Sequence, residues 1–206
     1  MTRPYDAQLA LARLALRVRG PMALDLPALF ALTDPDRTHD PLRLAETLAP
    51  GTGLVFRHFG AADRVETGLK LAELAREGGL CLLVSADPEL ADQIGADGIH
   101  WPERLLSQAG SRRVRGDRRI FTASAHSPAA IFRARRAGID AVFHSTTFAS
   151  QSISATRPHG PFAAAAAVQA TGMPVYPLGG VNARTGKRLV GLGFAGICCV
   201  GAVAQS

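Results

Sequence analysis

Short apolar runs bounded by turn residues recur along the chain: ALFALTD (28–34), GLVFRHF (53–59), LCLLVS (80–85), DGIHW (97–101), RIFTAS (119–124), IDAVFHS (139–145), PVYPLGG (174–180) and AGICCVG (195–201). None alternates strictly between apolar and polar positions. All are rich in β-branched, aromatic and aliphatic residues, the pattern of strands buried on both faces. Between them lie stretches of helical periodicity. AADRVETGLKLAELAREGG places Val65, Leu69 and Ala72 at helical spacing, with Gly78–Gly79 as a stop. SPAAIFRARRAG offers Ser127 as N-cap, Pro128 at the first helical position and Gly138 past the end. VNARTGKRLVGLG offers Asn182 as a cap and Gly191 or Gly193 as a stop. The N-terminal stretch predicts an amphipathic helix over about residues 6–18, with Leu9, Leu11, Leu14 and Leu16 near one side.

Three helix-to-strand joints look alike: IGADGIHW, AGIDAVFH and LGFAGICCV. Each closes a helix with glycine, makes a short turn and enters a strand, which argues for stacked copies of one βα unit. Eight strands alternating with helices within 206 residues predict an α/β fold, a (β/α)8 TIM barrel forming one domain over 1–206. A doubly wound open sheet would ordinarily use fewer strands, and no linker interrupts the chain.

Composition narrows the function classes. With 47 % hydrophobic residues the chain is globular. No apolar run nears the roughly 18 residues of a membrane span, and no signal-peptide core is present, so the expected location is cytoplasmic with no membrane partner. Cys81, Cys198 and Cys199 all lie in apolar runs, as buried reduced thiols do. The net charge of +6 comes almost wholly from arginine, Lys70 and Lys187 being the only lysines. Such a surface suits phosphorylated small molecules or nucleic acid. The densest basic cluster, GSRRVRGDRRIF (110–121), has no aromatic until Phe121, so it is expected to be a solvated loop and nucleic acid is not expected as a partner. A homo-oligomer is compatible with the sequence.

In such a barrel, chemistry sits where strands end and βα loops begin. Those ends carry Thr33–Asp34, Arg57–His58, Ser85, His100–Trp101, Ser124–His126, the segment from His144 to Ser152, Gly179–Gly180 and Val200–Gly201. The glycines after the seventh and eighth strands let backbone N–H groups approach a ligand, in the loops that usually seat phosphate. Arg57 is a candidate anion ligand, or else a salt-bridge partner of Asp34 or Glu103. Trp101 either walls the pocket or packs at the edge of the core. His144, before a Ser–Thr–Thr run, is a candidate ligand contact. His126 is either an acid/base group or a polar residue preceding an N-cap.

The ordered set of LTD after strand one, arginine after strand two, GADGIH into strand four, S-x-H after strand five, GG after strand seven and GFAGICCVGAV at the end resembles the thiamine-phosphate synthase and thiazole tautomerase superfamily. The resemblance covers about residues 28 to 204. It implies a thiazole phosphate seat at Gly179, Gly180, Val200 and Gly201, and a hydroxyl-bearing loop at Ser150 and Ser152, with Ile153 where the family carries lysine. The synthase branch joins a pyrimidine pyrophosphate to a thiazole phosphate; the tautomerase branch aromatises a thiazole phosphate carboxylate.

The chain departs from the synthase pattern at several points. The glutamine-x-arginine-x-lysine run after strand two is Val55, Arg57, Phe59. The asparagine–aspartate pair after strand three is Ser85–Ala86, and Leu105 falls at the second acidic metal position. Asp87 and Glu103 are the nearest acidic replacements. Pyrophosphate departure needs cationic groups to take up developing charge, whereas a proton shift needs one group near neutral pKa. The expected activity is therefore a tautomerase-like isomerase acting on a thiazole phosphate, with His126 as acid/base, Arg57, Ser124, His144, Ser150 and Ser152 as substrate contacts, and no cofactor. The alternatives are a divergent thiamine-phosphate synthase, for which magnesium would be required, and a non-catalytic protein binding thiazole phosphate or thiamine phosphate.

Overall fold

The computed structural model describes residues 4–21, 25–150 and 157–200. Eight parallel strands alternate with helices: β1 (Leu29–Leu32), β2 (Gly53–Phe56), β3 (Cys81–Ser85), β4 (Gly98–Trp101), β5 (Ile120–Ala125), β6 (Ala141–His144), β7 (Val175–Pro177) and β8 (Ile197–Val200). The sheet order is β7-β6-β5-β4-β3-β2-β1-β8, and Ala195 N–H donates to Val175 O (2.9 Å) across the remaining gap. The fold is a (β/α)8 barrel, with every predicted strand in place. The helices are α1 (Pro4–Val18), α2 (Pro41–Thr47), α3 (Arg64–Gly78), α4 (Pro88–Gln93), α5 (Leu106–Val114), α6 (Pro128–Arg136) and α7 (Pro161–Thr171).

The strands are buried on both faces, and residue parity sorts their side chains. Phe30, Leu32, Val55, Leu83, Phe143, Tyr176 and Cys198 fill the barrel interior. Leu54, Phe56, Val84, Ile99, Trp101, Phe121 and Val142 pack outward against the helices. The rings of Phe30, Phe143 and Tyr176 meet at 5.0, 5.2 and 5.8 Å between centroids, and each buried ring contributes about 2–3 kcal/mol. Gly53 makes room for them: a Cβ there would lie 2.1 Å from the Phe30 ring.

Helix starts obey the local sequence. Asp40, Asp87 and Ser127 accept hydrogen bonds from Arg43 N (2.9 Å), Leu90 N (3.0 Å) and Ala130 N (3.2 Å), each with proline next in sequence. Asn182 caps as expected, accepting from the amides of Arg184 and Thr185, but it opens a 3-10 turn (Thr185–Leu189) rather than an α-helix.

Three expectations need correction. On α3 the buried face is Gly68, Leu71 and Ala75, while Val65 and Leu69 are exposed. On α1 the buried apolar residues are Leu11, Leu14, Ala15 and Val18, and Leu16 faces out. The basic run 110–121 is no solvated loop. Its first part ends α5, and Arg112 and Arg119 both pair with Asp92 (2.9 and 2.6 Å) and with Asp117 (3.3 and 2.7 Å). The hydrogen bond from Arg119 holds the Asp117 carboxyl at about 2, well below the usual carboxylate range.

Candidate functional site

At the C-terminal mouth, β2 runs on into Arg57, whose parity matches that of Val55 and so directs it to the interior. Arg57 is partly buried, and burial lowers its pKa although the Asp34 charge opposes this. Neither expected salt bridge forms. The Asp34 carboxylate pairs with Arg37 (2.9 Å) and Glu103 pairs with Arg133. Burial alone would raise Asp34; the Arg37 hydrogen bond and the charges of Arg37 and Arg57 hold it below its ordinary value. Among the described residues, the Arg57 guanidinium has no carboxylate within ion-pair distance.

Beside it lies His100, which the sequence placed at a strand end without a role. It is fully buried, stacked on Phe143 (4.7 Å), with Nδ1 2.9 Å from Thr122 Oγ1 and Nε2 3.0 Å from Ser124 Oγ. Burial first, then the nearby Arg57 charge, pushes its pKa down to about 3, so the imidazole is neutral. Ser124 thus faces the interior, as a ligand contact must, already joined to His100. The depressed pKa has a thermodynamic consequence. Unfolding exposes an imidazole that protonates below its ordinary value of 6.5, so its contribution is whole above that pH and is lost as pH falls towards 3. Urea unfolding is expected to show about 2–3 kcal/mol less stability at about pH 4.5 than at pH 6.5, and His100→Asn should flatten that slope.

His126 is exposed just past β5, with Nδ1 3.1 Å from Ser145 Oγ. It sits on the rim and not in the interior. His144 faces away from the interior. Its Nδ1–H donates to Ala125 O (3.0 Å), it stacks on His159 (5.2 Å), and burial lowers its pKa. The expected ligand contact at His144 is corrected accordingly: the inward residues of β6 are Ala141 and Phe143. Trp101 likewise packs outward on Phe121 (5.6 Å) and does not wall the mouth.

After β7, Gly179 (φ +89°) and Gly180 (φ +63°) turn the chain against the loop between β6 and α7. Phe148 N–H donates to Gly179 O (3.0 Å) and Thr147 N–H to Leu178 O (2.9 Å). Among the described residues, the amides of Gly179 and Gly180 donate to no acceptor. Val200 ends β8 opposite Leu32, and Ser150 lies half-buried on the β6 loop. Gly201, Ser152 and Ile153 lie outside the described residues.

The resemblance implies magnesium, and the donor set at the implied positions does not fit it. Ser85 supplies one hydroxyl, while Ala86 and Leu105 supply nothing. Asp87 caps α4 and pairs with Arg64 (3.3 Å), and Glu103 is held by Arg133. Among the described residues no three His, Cys, Asp or Glu side chains gather as a metal site. Ala86 retains a left-handed backbone, φ +56°, which favours Gly, Asn or Asp. Ala86→Gly is therefore expected to stabilise the fold by about 1 kcal/mol in chemical denaturation.

A cavity of about 650 Å³ opens at the opposite, N-terminal end, lined by Arg19, Asp25, Cys81 and Asp97. It holds none of the strand-end residues. Among the described residues, no helix is long and apolar enough to cross a membrane.

A thiamine-phosphate synthase of Methylococcus capsulatus is 31 % identical over 198 residues, spanning 90 % of this chain and 87 % of its own. One from Marinobacter nauticus is 28 % identical over 184 residues, spanning 85 % and 82 %. The solved thiamine phosphate pyrophosphorylase of Pyrococcus furiosus shares the fold at TM-score 0.72 and 20 % identity, over 94 % of this chain and 90 % of that one. Residues 29–203 match the family described as thiamine monophosphate synthase, and the chain belongs to that family.

Proposed function

We propose that the chain is a transferase of the thiamine-phosphate synthase type. The Gly179–Gly180 turn seats a thiazole phosphate, and Arg57 receives the pyrophosphate of the pyrimidine partner. The observation that carries this reading is the partly buried Arg57 guanidinium with no carboxylate partner among the described residues. A partly buried cation left uncompensated at the strand ends has its counter-charge in an anionic ligand. The relatives named thiamine-phosphate synthase support the same reading over the isomerase expected from the sequence.

In this reaction the thiazole ring nitrogen bonds to the pyrimidine methylene carbon as the carbon–oxygen bond to pyrophosphate breaks. The electron pair leaves on the pyrophosphate, where Arg57 stabilises the developing charge. Neutral His100 and the hydroxyls of Thr122 and Ser124 supply uncharged hydrogen-bonding groups on the interior wall.

A second reading is favoured by His126. Its Nδ1 is held by Ser145 while the ring stands exposed, which leaves Nε2 for proton transfer in a tautomerase-like isomerisation that needs no metal. One assay separates the two. Given both substrates, the chain is expected to form thiamine phosphate and release one pyrophosphate per product. No such product, together with conversion of a thiazole phosphate tautomer that His126→Asn abolishes, would replace the transferase reading. Ligand binding without either turnover would leave a non-catalytic binder.

A further inference from the structure

We infer that this chain binds diphosphate without magnesium, because a fixed guanidinium, that of Arg64, stands at the β3 rim where the family pattern places a metal. The inference rests on the proposed function for its ligand class. Its support is the way Arg64 is built in. The side chain comes from the first turn of α3, and its guanidinium carbon lies 5.2 Å from the ring centres of both Phe56 and Phe59. Nη2 donates to Ser85 O (3.3 Å) and Nε to the Asp87 carboxylate (3.3 Å), so the group straddles Ala86. The side chain is only 11 % exposed, and among the described residues Nη1 has no partner.

A divalent cation at this rim meets two obstacles. The Ser85 carbonyl and the Asp87 carboxylate both receive Arg64, and Asp87 also caps α4, which leaves the Ser85 hydroxyl as the side-chain oxygen the β3 turn offers. A dication on the same turn would also stand against a like charge that cannot swing away, since two aromatic rings and two hydrogen bonds hold it. Ala86 keeps the left-handed turn while carrying no carboxylate. The rim thus carries a fixed Arg64–Asp87 ion pair where a metal would need free oxygens.

The test is titration calorimetry of the full chain with inorganic pyrophosphate, once in EDTA and once in excess magnesium. Magnesium, which complexes pyrophosphate in solution, is expected to leave the dissociation constant unchanged or to weaken binding. Tightening by tenfold or more with magnesium, or no binding in EDTA, would overturn the inference. Water-proton relaxation with manganese should show no bound ion. A second arm uses Ala86→Asp alone and together with Arg64→Gln. Magnesium dependence is expected only in the double variant, and its appearance in Ala86→Asp alone would sink the role given to Arg64. The proposed function fails on a different measurement, the turnover of the two organic substrates, so either can fall without the other.

Discussion

Arg57→Leu is expected to weaken binding of thiazole phosphate or pyrophosphate by about a hundredfold while raising the melting temperature. The two halves of this result have one cause. Arg57 is desolvated by burial, and the carboxylate whose charge acts on it, Asp34, is already bound by Arg37 at 2.9 Å. An unpaired charge in such a place destabilises the fold, so an apolar side chain there should add about 1 kcal/mol of stability. Calorimetry and thermal melts on the same preparation read both quantities. A fall in stability together with affinity would mean that Arg57 holds the structure and is not waiting for an anion.

The second large effect is structural. Gly180→Ala is expected to cost at least about 3 kcal/mol, the sum of a left-handed conformation and an overpacked contact. Gly180 has φ +63°, and a Cβ there would lie 2.3 Å from Ala149 O and 2.9 Å from Phe148 Cβ. The first of these is backbone, so no side-chain rotation relieves it. The displaced segment is the β6 loop whose Phe148 amide bonds to Gly179 O, so the turn with the two uncommitted amides should be lost as well. Gly51→Ala is the matched control: its φ is +79° with nothing within 4 Å of a Cβ, and it should cost only about 1 kcal/mol. Urea unfolding of the pair separates conformation from crowding.

The strands were legible because each is apolar on both faces, so their number and spacing need no knowledge of orientation. Helix faces were less legible. On α3, Val65 and Leu69 are more apolar than Gly68, yet Gly68 is the residue that faces Leu90 and Ile94. Periodicity fixes spacing but not phase when the neighbour is unknown. The same limit decided the histidines. His100 and His144 both lie near the C-terminal ends of strands, and parity puts the first inside against Phe143 and the second outside against His159. The sequence therefore favoured His126, conspicuous between two serines, over His100, whose partners Thr122 and Ser124 come from the next strand. Arg57 stood out as an anion ligand candidate, but its missing salt bridges depend on Arg37 and Arg133, which no spacing rule connects to Asp34 and Glu103.

Parity at β4 also decides what light can report. Trp101 is the chain's single tryptophan, and its indole is wholly enclosed between β4 and the helices. Its fluorescence should be blue in the native state and move to the red only when the helical coat lifts from the strand. A ligand entering the mouth meets His100, one residue earlier and on the other side of the same strand. Native emission is thus a gauge of the coat, blind to the chemistry in the bore, and denaturation curves taken at this wavelength will track the shell of the barrel while calorimetry tracks its mouth.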